Sequence, residues 1–154
     1  MKLVICEKPS VGAAVAAALG VTGKKDGYIE NDKYIISWCI GHLVQLSEAA
    51  AYGEQYRKWS YDSLPILPQE WQYTVAADKG KQFKILKDLM QRSDVSEVVN
   101  ACDAGREGEL IFRFVYHQAG CKKPFTRLWI SSMETDAIKS GFDNLKDGLS
   151  LIHI

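Results

Sequence analysis

Asp103-Ala104-Gly105-Arg106-Glu107-Gly108-Glu109 places three carboxylates and a guanidinium in one short stretch, and no other part of the chain is better equipped for chemistry. Carboxylates held that close repel one another unless a cation joins them. Glu7 adds a fourth acid directly after the apolar run Lys2-Leu3-Val4-Ile5-Cys6, and Lys8-Pro9-Ser10 follow it. If the two acidic stretches stand at neighbouring strand ends, Glu7 comes within reach of Asp103 and Glu107, and three acidic oxygens can hold one hard cation. Mg2+ suits such a donor set. It takes one or two carboxylates plus waters and substrate phosphate oxygens, and it needs neither histidine nor cysteine. Arg106 beside that ion has the planar donor geometry that grips a phosphate through paired hydrogen bonds. Each residue also has a purely structural use: acids near a helix N-terminus complement its dipole, Arg106 can pair with Glu109, and Gly105 and Gly108 let the backbone turn and approach a partner closely.

These side chains have to be positioned by strands and helices. Lys2 to Cys6 reads as a strand, followed by a helix over roughly Ser10 to Leu19 that Ser10 can cap and Gly20 can end. Gly27 to Glu30 and Tyr34 to Ile40 read as a hairpin turning at Asn31-Asp32-Lys33. Residues 41–75 read as an irregular insertion, because Leu64-Pro65-Ile66-Leu67-Pro68 cannot continue a helix, with a strand near Gln72 to Ala76 at its end. From Gly80 to Met90, Phe83, Leu86, Leu89 and Met90 recur at helical spacing. Val95 to Cys102 is a second apolar strand leading into the acidic stretch, and Leu110 to Tyr116 suits a buried helix. A strand from Phe125 to Ile130 and a helix from Glu134 to Leu145 complete the pattern. Strands alternating with helices predict an α/β fold with a mostly parallel sheet flanked by helices, and in such a sheet ligands bind at the carboxyl ends of the strands.

Composition sets limits. The chain of 154 residues, 47% hydrophobic and 25% charged, suits one globular domain with a substantial core. Its apolar runs are too short to span a membrane, and Glu7, Lys8 and Pro9 interrupt any secretory signal, so a cytoplasmic protein is expected. Cys6, Cys39, Cys102 and Cys121 lack CxxC spacing and sit mostly in apolar runs, which predicts reduced, buried thiols. A formal net charge of zero means that any nucleic-acid contact comes from local patches and not from the whole surface.

Glu7-Lys8-Pro9-Ser10, Gly41-His42-Leu43, Asp103 to Glu109 and Arg127-Leu128-Trp129-Ile130-Ser131-Ser132 together resemble the Toprim domain of type IA DNA topoisomerases, most closely the bacterial topoisomerase III branch. The resemblance runs over about residues 1–147 and implies a Toprim-like (Rossmann-like) fold. It also implies reversible breakage and rejoining of single DNA strands by transesterification without a nucleotide cofactor. By the same resemblance, Glu7, Asp103 and Glu107 bind Mg2+, Glu7 gives acid/base help at the 3′ oxygen, and Lys8 and Arg106 lie at the reacting phosphate. Single-stranded DNA is the implied partner, touched by Arg106, by Trp59 through stacking, and by His42, which also has a structural reading. Lys79 and Lys81 read chiefly as surface lysines. The commoner Toprim pattern has an aspartate where Gly105 stands here, which puts a second tightly bound metal in doubt. The attacking tyrosine of the family belongs to a later domain, and none of the seven tyrosines here lies in its motif. The expectation is therefore a fragment, with a Toprim domain over 1–147, a truncated or non-native tail over 148–154, and the remaining topoisomerase domains in the same parent chain. No obligate separate protein partner and a bacterial, nucleoid-associated location are expected. A stand-alone Toprim nuclease or primase-like enzyme, and a non-catalytic metal- or DNA-binding module, are the alternative readings.

Overall fold

The computed structural model describes residues 1–149. Its centre is a seven-stranded sheet built from β1 (Lys2–Cys6), β2 (Gly23–Lys25), β3 (Tyr28–Glu30), β4 (Tyr34–Trp38), β7 (Glu97–Ala101), β8 (Phe125–Arg127) and β9 (Lys146–Asp147), in the order β2-β3-β4-β1-β7-β8-β9. The four central strands, β4, β1, β7 and β8, run parallel, while β2, β3 and β4 are joined by antiparallel pairing on one side and β9 pairs antiparallel with β8 on the other. β5 (Val44–Leu46) and β6 (Tyr73–Val75) form a separate antiparallel pair. The α/β, mostly parallel expectation holds. The two-residue strand β9 and the three-residue strands β2 and β5 go beyond the sequence reading, because segments that short carry too few alternations to show a period of two.

The sheet is covered on both faces, as continuous apolar central strands require. Leu3, Ile5, Ile35 and Val98 point to one face and pack with Leu86, Leu89 and Met90 of α2 (Gly80–Gln91) and with Ile111, Phe112 and Val115 of α3 (Arg106–Gln118). Val4, Cys6, Ile36 and Val99 point to the other, against Val11, Val15 and Ala16 of α1 (Pro9–Ala18) and Ile138 of α4 (Thr135–Asp143). All four cysteines are free and buried, as expected. Among the described residues no helix is long and apolar enough to cross a membrane.

Helix ends follow local rules, with one correction. α1 begins at Pro9, whose fixed φ suits the first helical position, and Lys8 occupies the cap without a side-chain bond, so Ser10 lies inside the helix and does not cap it. Its far end closes as expected at Gly20, with φ +68°: the Gly20 amide donates to Ala17 and the Val21 amide to Ala16. The hairpin turn also forms as read, with Asn31 Oδ1 accepting the Lys33 and Tyr34 amides. The insertion is a chain of short 3-10 turns, Ala49–Tyr52, Glu54–Tyr56 and Tyr61–Ser63, held between β5 and β6. In the tail, the Gly148 amide donates to the Phe125 carbonyl, while Ser150 to Ile154 lie outside the described residues.

Candidate active site

Parallel pairing in register brings the acids together. Cys6 stands opposite Trp38 on one side and Ala101 on the other, so Glu7, Cys39 and Cys102 leave the carboxyl edge of the sheet at one level. The Cys39 amide donates to the Cys6 carbonyl at 2.8 Å, which extends the pairing one residue before Gly41, at φ +62°, turns the chain toward His42. Loops 7–8, 39–42 and 102–107 therefore meet on one rim. Glu7 Oε2 accepts the Asp103 amide at 3.3 Å. His42 Nε2 lies 2.6 Å from Glu107 Oε1 in the first turn of α3. Lys79 Nζ donates to the His42 carbonyl at 3.0 Å and so ties that loop to the start of α2, whereas Lys81 pairs with Asp26.

Arg106, the first residue of α3, is exposed, and its side chain makes no ion pair or hydrogen bond among the described residues, because Glu109 pairs with Arg113 and Arg127 instead. Lys8 is likewise exposed at the head of α1. Trp59 stands apart from the rim. It is 75% exposed and lines a cleft of about 470 Å³ with Glu48, Ala49, Ala50, Tyr56 and Arg57 of the insertion.

Beneath the rim lies a buried polar network that the sequence reading missed. Arg127, with no exposed surface, donates from Nη1 to the Cys102 carbonyl at 2.6 Å and from Nη2 to the Asp103 carbonyl at 2.6 Å. Its Nε lies 3.2 Å from Glu109 Oε2, close enough for charge pairing but not aligned as a hydrogen bond. Burial pulls the guanidinium down from its ordinary value, opposed by Cys102, Glu109, Asp103 and Glu7. Glu109 also accepts from Asn100 Nδ2 at 3.0 Å and Arg113 Nε at 2.7 Å, and Arg113 reaches on to the Gly148 carbonyl at 2.8 Å. Asn100 Oδ1 in turn accepts the Cys102 amide. The available signal was a pair of polar residues interrupting two apolar strands, since Asn100 and Arg127 stand opposite each other across β7 and β8.

The two glycines of the acidic stretch differ. A Cβ on Gly108 would lie 2.1 Å from the Asp103 carbonyl oxygen, so α3 approaches the corner at a distance only glycine permits. Gly105, at φ 162°, is in extended backbone with open space where a Cβ would go, so close approach explains Gly108 alone. Below the rim, burial pushes the Cys6 thiol up from its ordinary value, and a hydrogen bond with Cys39 together with burial does the same to Cys102. Both are neutral thiols at the base of the site.

Among the described residues no group of three or more His, Cys, Asp or Glu side chains is arranged to enclose a metal ion. Glu7 and Asp103 adjoin, while the Glu107 carboxylate is turned to His42. The donors on the rim are carboxylate oxygens from adjacent strand ends, open to water. That chemistry fits a hard divalent ion held by one or two carboxylates and its own hydration shell, rather than one held in a full protein cage.

Comparison with known proteins bears on the family and the fold. The Toprim domain family model matches residues 2–133. The chain is 45% identical over 152 residues to DNA topoisomerase 3 of Staphylococcus haemolyticus, covering 99% of this chain and 21% of that protein. It is 48% identical over 147 residues to DNA topoisomerase 3 of Shouchella clausii, covering 96% and 20%. The chain thus spans about a fifth of the length of these relatives. Among solved structures, full-length topoisomerase I from Thermotoga maritima matches with a TM-score of 0.60 at 19% identity, over 94% of this chain and 21% of that one, a likeness of fold. The seven-stranded sheet, the acids on its carboxyl edge and the matched span lead to one conclusion: this chain belongs to the Toprim domain family.

Proposed function

We propose that this chain, over residues 1–147, is the Toprim domain of a type IA DNA topoisomerase of the topoisomerase III kind, and that its rim binds Mg2+ and one phosphodiester of a single DNA strand. The observation that carries the reading is the hydrogen bond from the Asp103 main-chain amide to the Glu7 carboxylate, which brings two acid-bearing corners 96 residues apart together at neighbouring strand ends. Glu7, Asp103 and Glu107 would hold Mg2+, which when bound offsets the negative charge of the phosphate.

The chain's own residues have distinct tasks. Arg106, without a protein partner, offers its guanidinium to a phosphate oxygen, and Lys8 adds a second cation from the head of α1. Glu7, half-buried just past the end of β1, would pass a proton to the 3′ oxygen as it leaves. His42 orients Glu107 and borders the strand's path. Trp59, exposed in the insertion, stacks on an unpaired base farther along. The chain spans about a fifth of the length of its relatives, which supports a nucleophile supplied by a further domain of a parent protein that acts in the bacterial cytoplasm on the nucleoid.

The test is a titration of the chain with MgCl2 followed by amide NMR. Shifts confined to Glu7, Asp103, Glu107 and their neighbours, abolished in Glu7→Gln and followed by further shifts at Arg106 when single-stranded DNA is added, are the expected result. Shifts centred elsewhere, or unchanged in Glu7→Gln, would remove the reading.

A further inference from the structure

Next to the acid rim, a cleft of about 610 Å³ opens between the segment after β8 and the face of α4 that carries Ala137, Ser140 and Gly141, and Ala104, the neighbour of Asp103, forms part of its wall. Its volume falls in the range of about 300–1,000 Å³ usual for small-molecule sites. The lining is opposite in character to the rim, because no carboxylate contributes to it. Ser131, Ser132 and Ser140 supply hydroxyls and Lys146 a cation, over a floor that includes Trp129 and Ile130. Ser132 Oγ accepts the Glu134 amide at 3.2 Å, which leaves its O–H to donate outward. Lys146 Nζ stands 5.6 Å over the Trp129 ring. Asn144 donates to the Ser140 carbonyl at 2.8 Å, so its own carbonyl oxygen is available.

A group that fits here is negatively charged on one side and flat or apolar on the other. The only wall this cleft shares with the acid rim is the stretch through Ala104, so a chain whose one phosphate sits at the rim can reach the cleft with its next unit. Resting on the reading of the rim as a phosphodiester site, we infer that the cleft holds the adjoining nucleotide of the same single strand. Lys146 and the serine hydroxyls take its phosphate, and the sugar or base lies on the floor beside Trp129. The rim then takes Mg2+ together with one phosphate, and the cleft takes the next phosphate, where no carboxylate opposes it. This assigns a role to the segment Trp129-Ile130-Ser131-Ser132, none of whose side chains the rim uses.

The experiment adds single-stranded oligothymidylate to the chain in MgCl2 and follows amide and indole NMR signals together with affinity by fluorescence anisotropy. Two variants at exposed positions probe the cleft: Ser140→Glu, which puts a carboxylate where there is none, and Lys146→Gln, with thermal melting to verify that each is folded. The expected result is shifts at Ser131, Ser140 and the Trp129 indole in the parent chain, lost in Ser140→Glu, with affinity down several-fold. Lys146→Gln should lower the slope of log affinity against log salt by about 0.7, the value for one phosphate contact on a single strand. Shifts at Arg106 and Asp103 with a silent cleft, or binding and salt slope unchanged in both variants, would overturn this inference and leave the rim's function standing. No response to DNA at either place, with Mg2+ still binding, would overturn both.

Discussion

Gly108→Ala should loosen the acid rim more than its size suggests. The added Cβ would lie 2.1 Å from the Asp103 carbonyl oxygen and 2.8 Å from the Asp103 amide nitrogen. Ordinary contact begins near 3.4 Å, and neither atom can rotate away because both are main chain, so the first turn of α3 and the corner must separate by roughly 1.3 Å. That displacement works directly against the 2.6 Å bond from Arg127 Nη2 to the Asp103 carbonyl. Overpacking costs about 1–3 kcal/mol and a weakened hydrogen bond to a charged group about 1.5–3 kcal/mol, against a gain of up to about 1 kcal/mol from replacing glycine in a helix. With that gain in full, the net expectation is a loss of about 1.5–5 kcal/mol. Urea unfolding followed by circular dichroism measures it, with Gly105→Ala as control: at that extended, open position the change should stay within about 0.5 kcal/mol. If the two alanine variants unfold at the same urea concentration, the close approach of α3 to Asp103 does not constrain the corner.

Arg127→Met should cost about 3–5 kcal/mol, because it leaves Glu109 buried with one cation fewer and frees the Cys102 and Asp103 carbonyls; a thermal melt close to that of the parent chain would refute this. Phe112→Ala, at a ring with no exposed surface packed against Tyr116 and Phe125, should cost about 3–5 kcal/mol by urea unfolding, and a loss under about 1 kcal/mol would place the core elsewhere. Asp103→Asn should weaken Mg2+ binding by about tenfold or more, equivalent to about 1.4 kcal/mol, in isothermal titration calorimetry. The same variant should leave metal-free stability unchanged or slightly raised, since it removes one charge from a crowded rim, and unchanged Mg2+ affinity would take Asp103 out of the cation site.

The strand-acid-helix corners were legible because buried parallel strands are nearly continuous apolar runs, so the point at which Lys2 to Cys6 gives way to Glu7, or Val98 to Cys102 gives way to Asp103, marks the carboxyl edge of the sheet. That both corners share one rim was a condition of the reading, and the parallel pairing of β1 with β7 meets it. The contact of His42 with Glu107 was not legible, since 65 residues separate them and it depends on the turn at Gly41. Nor was the difference between Gly105 and Gly108, which as letters are the same and are told apart only by the distance to the Asp103 backbone. β6 was read near Gln72 to Ala76, but its partner β5 was not: the two pair with each other and not with the main sheet, at a separation set by the insertion between them.

The buried network explains why one acidic stretch can hold four charged groups yet serve two ends. Glu109 turns inward and is balanced by Arg113 and Arg127, so its charge is neutralised within the fold. Asp103 and Glu107 stay on the surface, and the Arg127 guanidinium below them grips the main chain from which Asp103 projects rather than its carboxylate. Had Arg127 paired with Asp103 or Glu7 directly, it would have met the demand for a cation from inside, and the rim would have had little attraction for an ion from solvent. By binding carbonyls it fixes the geometry of the corner and leaves the rim acids free of internal cations, apart from the approach of His42 to Glu107. A chain with no net charge thereby leaves Glu7, Asp103 and Glu107 beside the exposed Lys8 and Arg106 on one edge, an arrangement suited to a divalent cation held together with a phosphate.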